Sequence, residues 1–535
     1  MSSDSTPPIQ VKISPNSIEL NRELNDIYRT ISYNKDSFIE FLSINSNINT
    51  EVTKFSNELN FIISLLMDLK HWGADFEFYR SQLFVTIPNL NNENFNDEAR
   101  NKLKESLLRL KNNKNTYQTD LSEQEALELL QNGEVSLRNA SEDLNLIEIF
   151  KSGITTWSMP YRNREGRSIR FVATINKNSV TVPIGLLEVG DEAPINPPRD
   201  AQMGLNVKLS EITNHDKQIL AQRFNALRKA LSPEDLPDYY QDDVSKILTF
   251  IPEIKIAGKG RDGNFKEVSR KKKLSYLSRL LSAEAASLGI SENEENGFQE
   301  GLRVIRDLTV PRINVELVIC GALPPFGNLL VGKLIAGMAC HPDIRNFVNR
   351  NFGIITSNLF NVDKLAKLIP NHGVLLVTTK GLYPGHSSQY SGVQYFGENE
   401  NIVKLKKIGN TLGQTTSHIS DTTVKFANKC IFDNGYAGIS KTFGSGGGKR
   451  QRTISEALRC IGLPVELSHA YISRPIYAFK LVENLDRVVL FNDEPKWLVE
   501  KYSMNLDSGH YEEQALKIWK DKWMSKIQTR VEVSN

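Results

Sequence analysis

Apolar residues recur at three- and four-residue intervals through most of the first 150 positions. "IELNRELNDIYRTI", "FSNELNFIISLLMDLKHW" and "EARNKLKESLLRLKNN" all carry that period, which gathers apolar side chains on one face of a helix. One extended piece, "QLFVTIP", interrupts them. From about Thr155 the period changes: "SIRFVATI" and "TVPIGLLEVG", joined by "NKNS", predict an antiparallel hairpin. Residues 206–299 turn charged and helical again, with "RFNALRKAL" and "KKKLSYLSRLLSAEAASLGI" around the loop "AGKGRDGNFKEVS". A strand ("NVELVICGA"), a helix beginning near Asn328 ("NLLVGKLIAGMACHPDIRNFVNR"), a strand ("GVLLVTTKG"), a polar loop and a short strand ("TTSHIS") follow. "ISEALRCIGLP" and the tail carrying Trp497, Trp519 and Trp523 read as helical, apart from the extended "ELSHAYISRPIYAFKL".

Apolar strands alternating with helices define an α/β layer, and the earlier hairpin makes its sheet mixed. The expected architecture is α/β with four parts: a mainly helical domain (1–150), a discontinuous core (151–205 plus 300–480), a charged helical insert (206–299) and a helical tail (481–535).

Composition narrows the partners. Lys plus Arg total 65 against 63 Asp plus Glu, so no global field draws the chain to nucleic acid or membrane, and any basic site is local. The N-terminus has no basic-then-apolar signal, and the apolar region Val315 to Met338 is broken by Glu316, "PPFGN" and Lys333, so the expectation is a soluble, cytoplasmic protein without a membrane partner. The four cysteines form no C-x-x-C pair, which argues against zinc and against a secreted disulfide framework. No metal site is expected: Cys340 and His341 are adjacent on a helix and point apart, and no carboxylate cluster of nuclease type has a recognisable spacing.

Three segments carry candidate chemistry. "GALPPFGNLLVGKLIAGMA" places Gly327, Gly332 and Lys333 almost at P-loop spacing, but Leu334 replaces the hydroxyl that would reach magnesium. What remains is a candidate anion site at a helix start, formed by Gly327, Asn328, Gly332 and Lys333. Its structural alternative is a packing glycine beside a lysine that reaches water. The loop "GLYPGHSSQYSG" offers His386 as a general base with Ser387, Ser388 or Tyr390 as partners, or else a hydrogen-bonded turn. Basic residues concentrate at Arg270, Lys271, Lys272 and Lys273, and again at Lys449, Arg450 and Arg452 after the glycine-rich turn Gly444 to Gly448. Either group suits a phosphate backbone, or is a solvated face. Arg199 and Asp200 could orient a ligand or form a local ion pair.

"LLMDLKHWGADFEF", "VPIGLLEVGDEAPINPPRDAQMGL", "LVICGALPPFGNLLVGKLIAGMACHPDIR", "LLVTTKGLYPGHSSQY", "IGNTLGQTTSHIS" and "ALRCIGL" together resemble the Druantia anti-phage defence protein DruA family. The resemblance implies a prokaryotic cytoplasmic protein working with other defence proteins. The order hairpin, strand, loop, helix, strand also looks like the N-acetyltransferase-like (GNAT) superfamily, which implies acyl-CoA at the helix after the fourth strand. In place of that superfamily's glycine pair stands "NLLVGKL", with Gly332 alone suitably placed. Three functions follow as expectations: DNA binding through the basic segments, an acyltransferase or hydrolase, and a scaffold that uses the aromatic tail.

Overall fold

The computed structural model describes residues 8–13, 57–79, 82–90, 101, 105, 117, 119–157, 167–178, 180–192, 195–260, 264–352, 359–384, 390–396, 402–411, 414–416, 418–435, 449–499 and 508–534. The segment "IELNRELNDIYRTI", most of "EARNKLKESLLRLKNN", the residues His386, Ser387 and Ser388, and the turn Gly444 to Gly448 lie outside the described residues.

A seven-stranded mixed sheet organises the molecule. Its strands are β1 (Glu134–Asn139), β2 (Ser168–Lys177), β3 (Val180–Gly190), β4 (Asn314–Ala322), β5 (Leu376–Lys380), β6 (Lys406–Asn410) and β7 (Pro475–Lys480). In space they run β6-β7-β5-β4-β3-β2-β1. Every neighbouring pair is antiparallel except β4 and β5. The expected hairpin is β2–β3, and its turn puts Asn178 at φ 49, a left-handed conformation that Asn tolerates. β4 and β5 pair from Asn314 and Leu376 only as far as Leu317 and Thr379, while β4 continues to Ala322, so this parallel pair opens toward its carboxyl end.

Both faces of the sheet are covered, which is why β2 and β3 read as near-continuous apolar runs. On one face Phe171, Leu187, Leu317 and Phe479 pack under the helix Val331–Gly337 and the C-terminal helix Ser508–Ser534. On the other, Val172 and Leu186 meet Phe150 and Ile154 of the helix Leu144–Thr156, and Leu376 and Ala478 meet the insert. The insert is helical as expected, built on Asn214–Lys229, Phe265–Ser287 and Glu294–Ile313. A Cβ at Gly301 would lie 2.3 Å from Ala283 and 2.7 Å from Phe224, so only glycine lets these helices approach so closely. The insert core also buries an ion pair, Arg228 Nε to Glu284 Oε2 at 3.0 Å.

In the span 1–150, expected to be mainly helical with "QLFVTIP" extended, Gln82–Ile87 is a strand and forms a three-stranded sheet with Ile9–Ile13 and Asp75–Tyr79, while Glu134–Asn139, with Val135 and Leu137 buried alternately, is the edge strand β1. Three expectations need correction. The long helix expected from Asn328 starts at Val331, after Leu330 in left-handed backbone, and breaks at His341 because Pro342 has no N–H to continue it. Among the described residues of the expected strand "TTSHIS" only Thr415 is extended, paired with its neighbour Gln414 in a two-residue strand, because Ser420 instead caps the helix Asp421–Asp433. Trp497 is not helical but bridges Val482.

Candidate functional site

The candidate anion residues sit beside a cleft that the C-terminal helix completes. Lys333, in the first turn of the helix Val331–Gly337, is 8% exposed, and its Nζ donates to Ser391 O at 2.6 Å. The same ammonium lies 4.6 Å from the ring centroid of Trp523. Lys522 and Lys526 reach that ring too, at 5.6 and 5.2 Å. Lys522 also donates to Gly392 O at 2.7 Å and Gln394 Oε1 at 2.8 Å. Burial first, and then the Lys522 charge, push the Lys333 ammonium down from 10.5 to about 8. Lys522 is shifted down by burial first and then by Lys404 and Lys526. The cleft between these groups measures about 340 Å³, counted out to open solvent, and Trp519 forms part of its wall.

Gly327, Asn328 and Gly332 of the expected anion group do not line this cleft, although Gly332 adjoins Lys333 in the same turn. Asn328 is hydrogen-bonded through Nδ2 to Glu123 Oε1, which sets a carboxylate beside the turn that precedes the helix. Gly327 has open space around it. Sequence reasoning missed Lys404, Lys522, Lys526 and Trp523 as members of the site. Nothing local marks them, since Trp523 lies 190 residues after Lys333 and meets it only through the fold.

At the carboxyl end of β5, Tyr390 is buried and accepts a hydrogen bond from Thr379 Oγ1 at 3.2 Å. Burial, above all, raises its phenol well beyond the ordinary value, so it stays protonated at neutral pH. Beneath it lies a buried ionic network. Glu192 accepts from Asn314 Nδ2 at 2.7 Å and Thr378 Oγ1 at 2.8 Å, and pairs with Arg199 and Lys380, both at 3.4 Å. Arg199 is fully buried and also pairs with Asp200 at 2.5 Å, which is the ion-pair alternative foreseen for these two residues. Lys380 pairs in turn with Glu316 at 2.5 Å.

The basic segments are unevenly available. Lys273 is 3% exposed and donates to Glu234 O at 2.6 Å, and Lys271 pairs with Glu267 at 3.1 Å. Arg270 and Lys272 are exposed, as are Lys255, Lys259 and Lys266 nearby. The end of the short helix Ile251–Ala257 abuts the helix Phe265–Ser287, where a Cβ at Gly258 would lie 2.8 Å from Ser275 N. These five side chains therefore share one helical hairpin. At the other segment Arg450 turns to Asp421 at 2.5 Å and to Ile419 O, while Arg452 is half-buried and the Lys449 side chain lies outside the described residues. Trp519 is buried and its Nε1 donates to Leu330 O at 3.1 Å, which takes it out of use as an external anchor. Among the described residues no group of three His, Cys, Asp or Glu side chains is placed to hold a metal, and no helix is long and apolar enough to cross a membrane.

The fold thus defines a mixed α/β protein whose sheet carries a large helical insert, with charged clusters buried at its strand ends. Within that class, residues 310–490, from the end of the insert through β4, β5, β6 and β7, match the family model described as Druantia protein DruA. A curated relative, Druantia protein DruA of Escherichia coli (strain UMEA 4076-1), is 29% identical over 176 residues, covering 33% of this chain and 41% of the relative. The chain thus spans about two fifths of the length of the curated relative it matches. No solved structure matches.

Proposed function

We propose that the protein acts in a Druantia-type anti-phage defence system, alongside other proteins of that system, as its nucleic-acid-binding component, with the basic helical hairpin as the contact. One observation carries this reading: Lys255, Lys266, Arg270 and Lys272 are exposed on two helices that touch, and Lys259 is exposed just after the first of them. A local concentration of exposed basic side chains is the electrostatic footprint of phosphate contact in a chain whose net charge is only +2. The relative's name supports the defence context. Of the residues expected to contact nucleic acid, Arg270 and Lys272 are best placed; Lys271 and Lys273 support the hairpin, and Lys449, Arg450 and Arg452 are secondary.

Fluorescence anisotropy of labelled single- and double-stranded DNA across a salt series tests it. Each phosphate contact contributes roughly −0.9 to the slope of log affinity against log salt on duplex DNA. Arg270→Glu with Lys272→Glu should weaken binding and flatten that slope by about 2. Wild-type affinity and slope in this double variant would remove the hairpin from the account, and no binding at low salt would remove the function.

A second reading, an acyl-CoA-dependent acyltransferase of GNAT type, is favoured by one feature: the parallel pair β4–β5 separates after Leu317 and Thr379, in a sheet of order β6-β7-β5-β4-β3-β2-β1. Isothermal calorimetry with acetyl-CoA decides it, since absence of binding heat retires the transferase. The hydrolytic version rests on His386, Ser387 and Ser388, which lie outside the described residues, and on Tyr390.

A further inference from the structure

We infer that the cleft between the helix Val331–Gly337 and the C-terminal helix binds a phosphomonoester, carried either by a free nucleotide or by the terminal phosphate of a nucleic acid strand. The hairpin proposed above as the DNA contact contributes nothing to this site, so the two inferences stand or fall separately.

The first ground is convergence of like charge. Three ammonium groups, on Lys333, Lys522 and Lys526, lie within 5.6 Å of one ring centroid, and Lys404 acts on Lys522 from beside them. Bringing cations together costs free energy unless something compensates, and the electron-rich face of Trp523 compensates only in part. Lys333 records the remainder, because its ammonium is shifted down by burial and by Lys522. A dianionic ligand would attract each of these ammonium groups and so offset their mutual repulsion.

The second ground is shape. The lysines converge on one ring, whereas a tracked polynucleotide backbone calls for cations spread along a groove. A terminal phosphate near neutral pH carries between one and two negative charges on three acceptor oxygens, which suits several donors meeting at one point. Little of the cleft is enclosed, so the phosphate meets the lysines at its open mouth and the rest of the ligand stays in solvent. Trp523 supplies an aromatic surface at its rim.

A structural alternative exists. Lys333 and Lys522 also fasten the turn at Ser391 and Gly392 through its carbonyls. Lys526 separates the two, because it is exposed and, among the described residues, meets the cleft through the Trp523 ring. If the lysines only hold the helix, Lys526→Gln is silent.

The experiment uses the full chain at low salt and compares adenosine with its 5′-monophosphate by calorimetry, and a 5′-phosphorylated with a 5′-hydroxyl oligonucleotide by anisotropy. The expected result is at least tenfold preference for the phosphorylated member of one pair or both, the pair that shows it identifying the source. Lys526→Gln should reduce that preference at least tenfold without moving the melting temperature of the unliganded protein, and the Arg270→Glu, Lys272→Glu variant should keep it. No preference in either pair, or a preference that survives both Lys526→Gln and the double variant Lys522→Gln, Lys526→Gln, would overturn the inference.

Discussion

At Lys333 burial and a neighbouring ammonium act in the same direction, and the consequence for stability has a definite sign. The ammonium titrates at about 8 in the folded protein against 10.5 for an ordinary lysine. Between those values the unfolded chain holds a proton that the folded one has released, so folding gains stability as pH rises through this window. Below about 8 both states are protonated and the penalty is present in full. The charged groups involved are Lys522 directly, with Lys404 and Lys526 acting on Lys522. Lys333→Met keeps much of the side-chain volume and removes the charge. It should melt higher than wild type at pH 7, with an advantage that shrinks as pH rises from about 8 to 10.5; melting curves over that range measure it. A lower melting temperature at pH 7 would mean that the bond to Ser391 O outweighs the repulsion. Lys333 was legible in the sequence through its near P-loop spacing, but what surrounds it was not. A motif specifies neighbours in sequence, and the groups that set this lysine's proton affinity come from elsewhere. Arg199 was legible only as one of two alternatives, since composition cannot tell a buried charge network from a polar turn.

The C-terminal helix shows the same limit among elements. Its aromatic residues marked it as helical, but not which part of the molecule it covers. Tyr511 OH donates to Gly337 O at 2.8 Å, Trp519 Nε1 to Leu330 O at 3.1 Å, and Lys520 Nζ to Gln131 O at 3.0 Å, so the helix is fastened at both ends of Val331–Gly337 and to the last turn of the helix Glu123–Asn132 that leads into β1. Trp519 is 3% exposed, and truncation to Ala removes a large buried surface as well as a hydrogen bond. Such changes cost about 3–5 kcal/mol. Trp519→Ala should therefore lower the unfolding free energy in urea by that amount, and an effect below about 1 kcal/mol would show that the helix does not depend on this anchor. Strands β4 and β5 could be placed from sequence because both faces are covered, leaving uninterrupted apolar runs bounded by turns. The edge strand β1 could not. Only Val135 and Leu137 are buried there, and two apolar positions directly after a helix are too few to establish an alternating period.

Across the whole molecule, the first described residues belong in space with late ones. The helix Asn57–Trp72 packs on Asp421–Asp433, with Phe61, Leu65, Ala427 and Ile431 in one core, and Asn89–Leu90 pairs with Tyr471–Ile472. Asp68 joins the two helices: its Oδ2 accepts from Ser420 N at 2.7 Å and from Thr423 Oγ1 at 2.6 Å. Burial outweighs these bonds and the Arg450 charge, so the carboxyl titrates above its ordinary value, and at neutral pH the ionised form is held at some cost. This separates two roles that a single substitution would confuse. Asp68→Asn keeps an oxygen able to accept both bonds while removing the buried charge, and should be at least as stable as wild type at pH 7. Asp68→Ala leaves the Ser420 N–H unpaired at the start of a helix and should cost about 1–3 kcal/mol. The two helices stand some 350 residues apart in the chain, so coupling between them is a property of the assembled fold and not of either segment. Hydrogen exchange on Asp68→Ala reads that coupling. Amides of Asn57–Trp72 and Asp421–Asp433 should lose protection together, by a similar factor, while those of β4 and β5 keep theirs. Loss confined to one helix would mean that they open independently, and that Asp68 caps the second without binding the first to it.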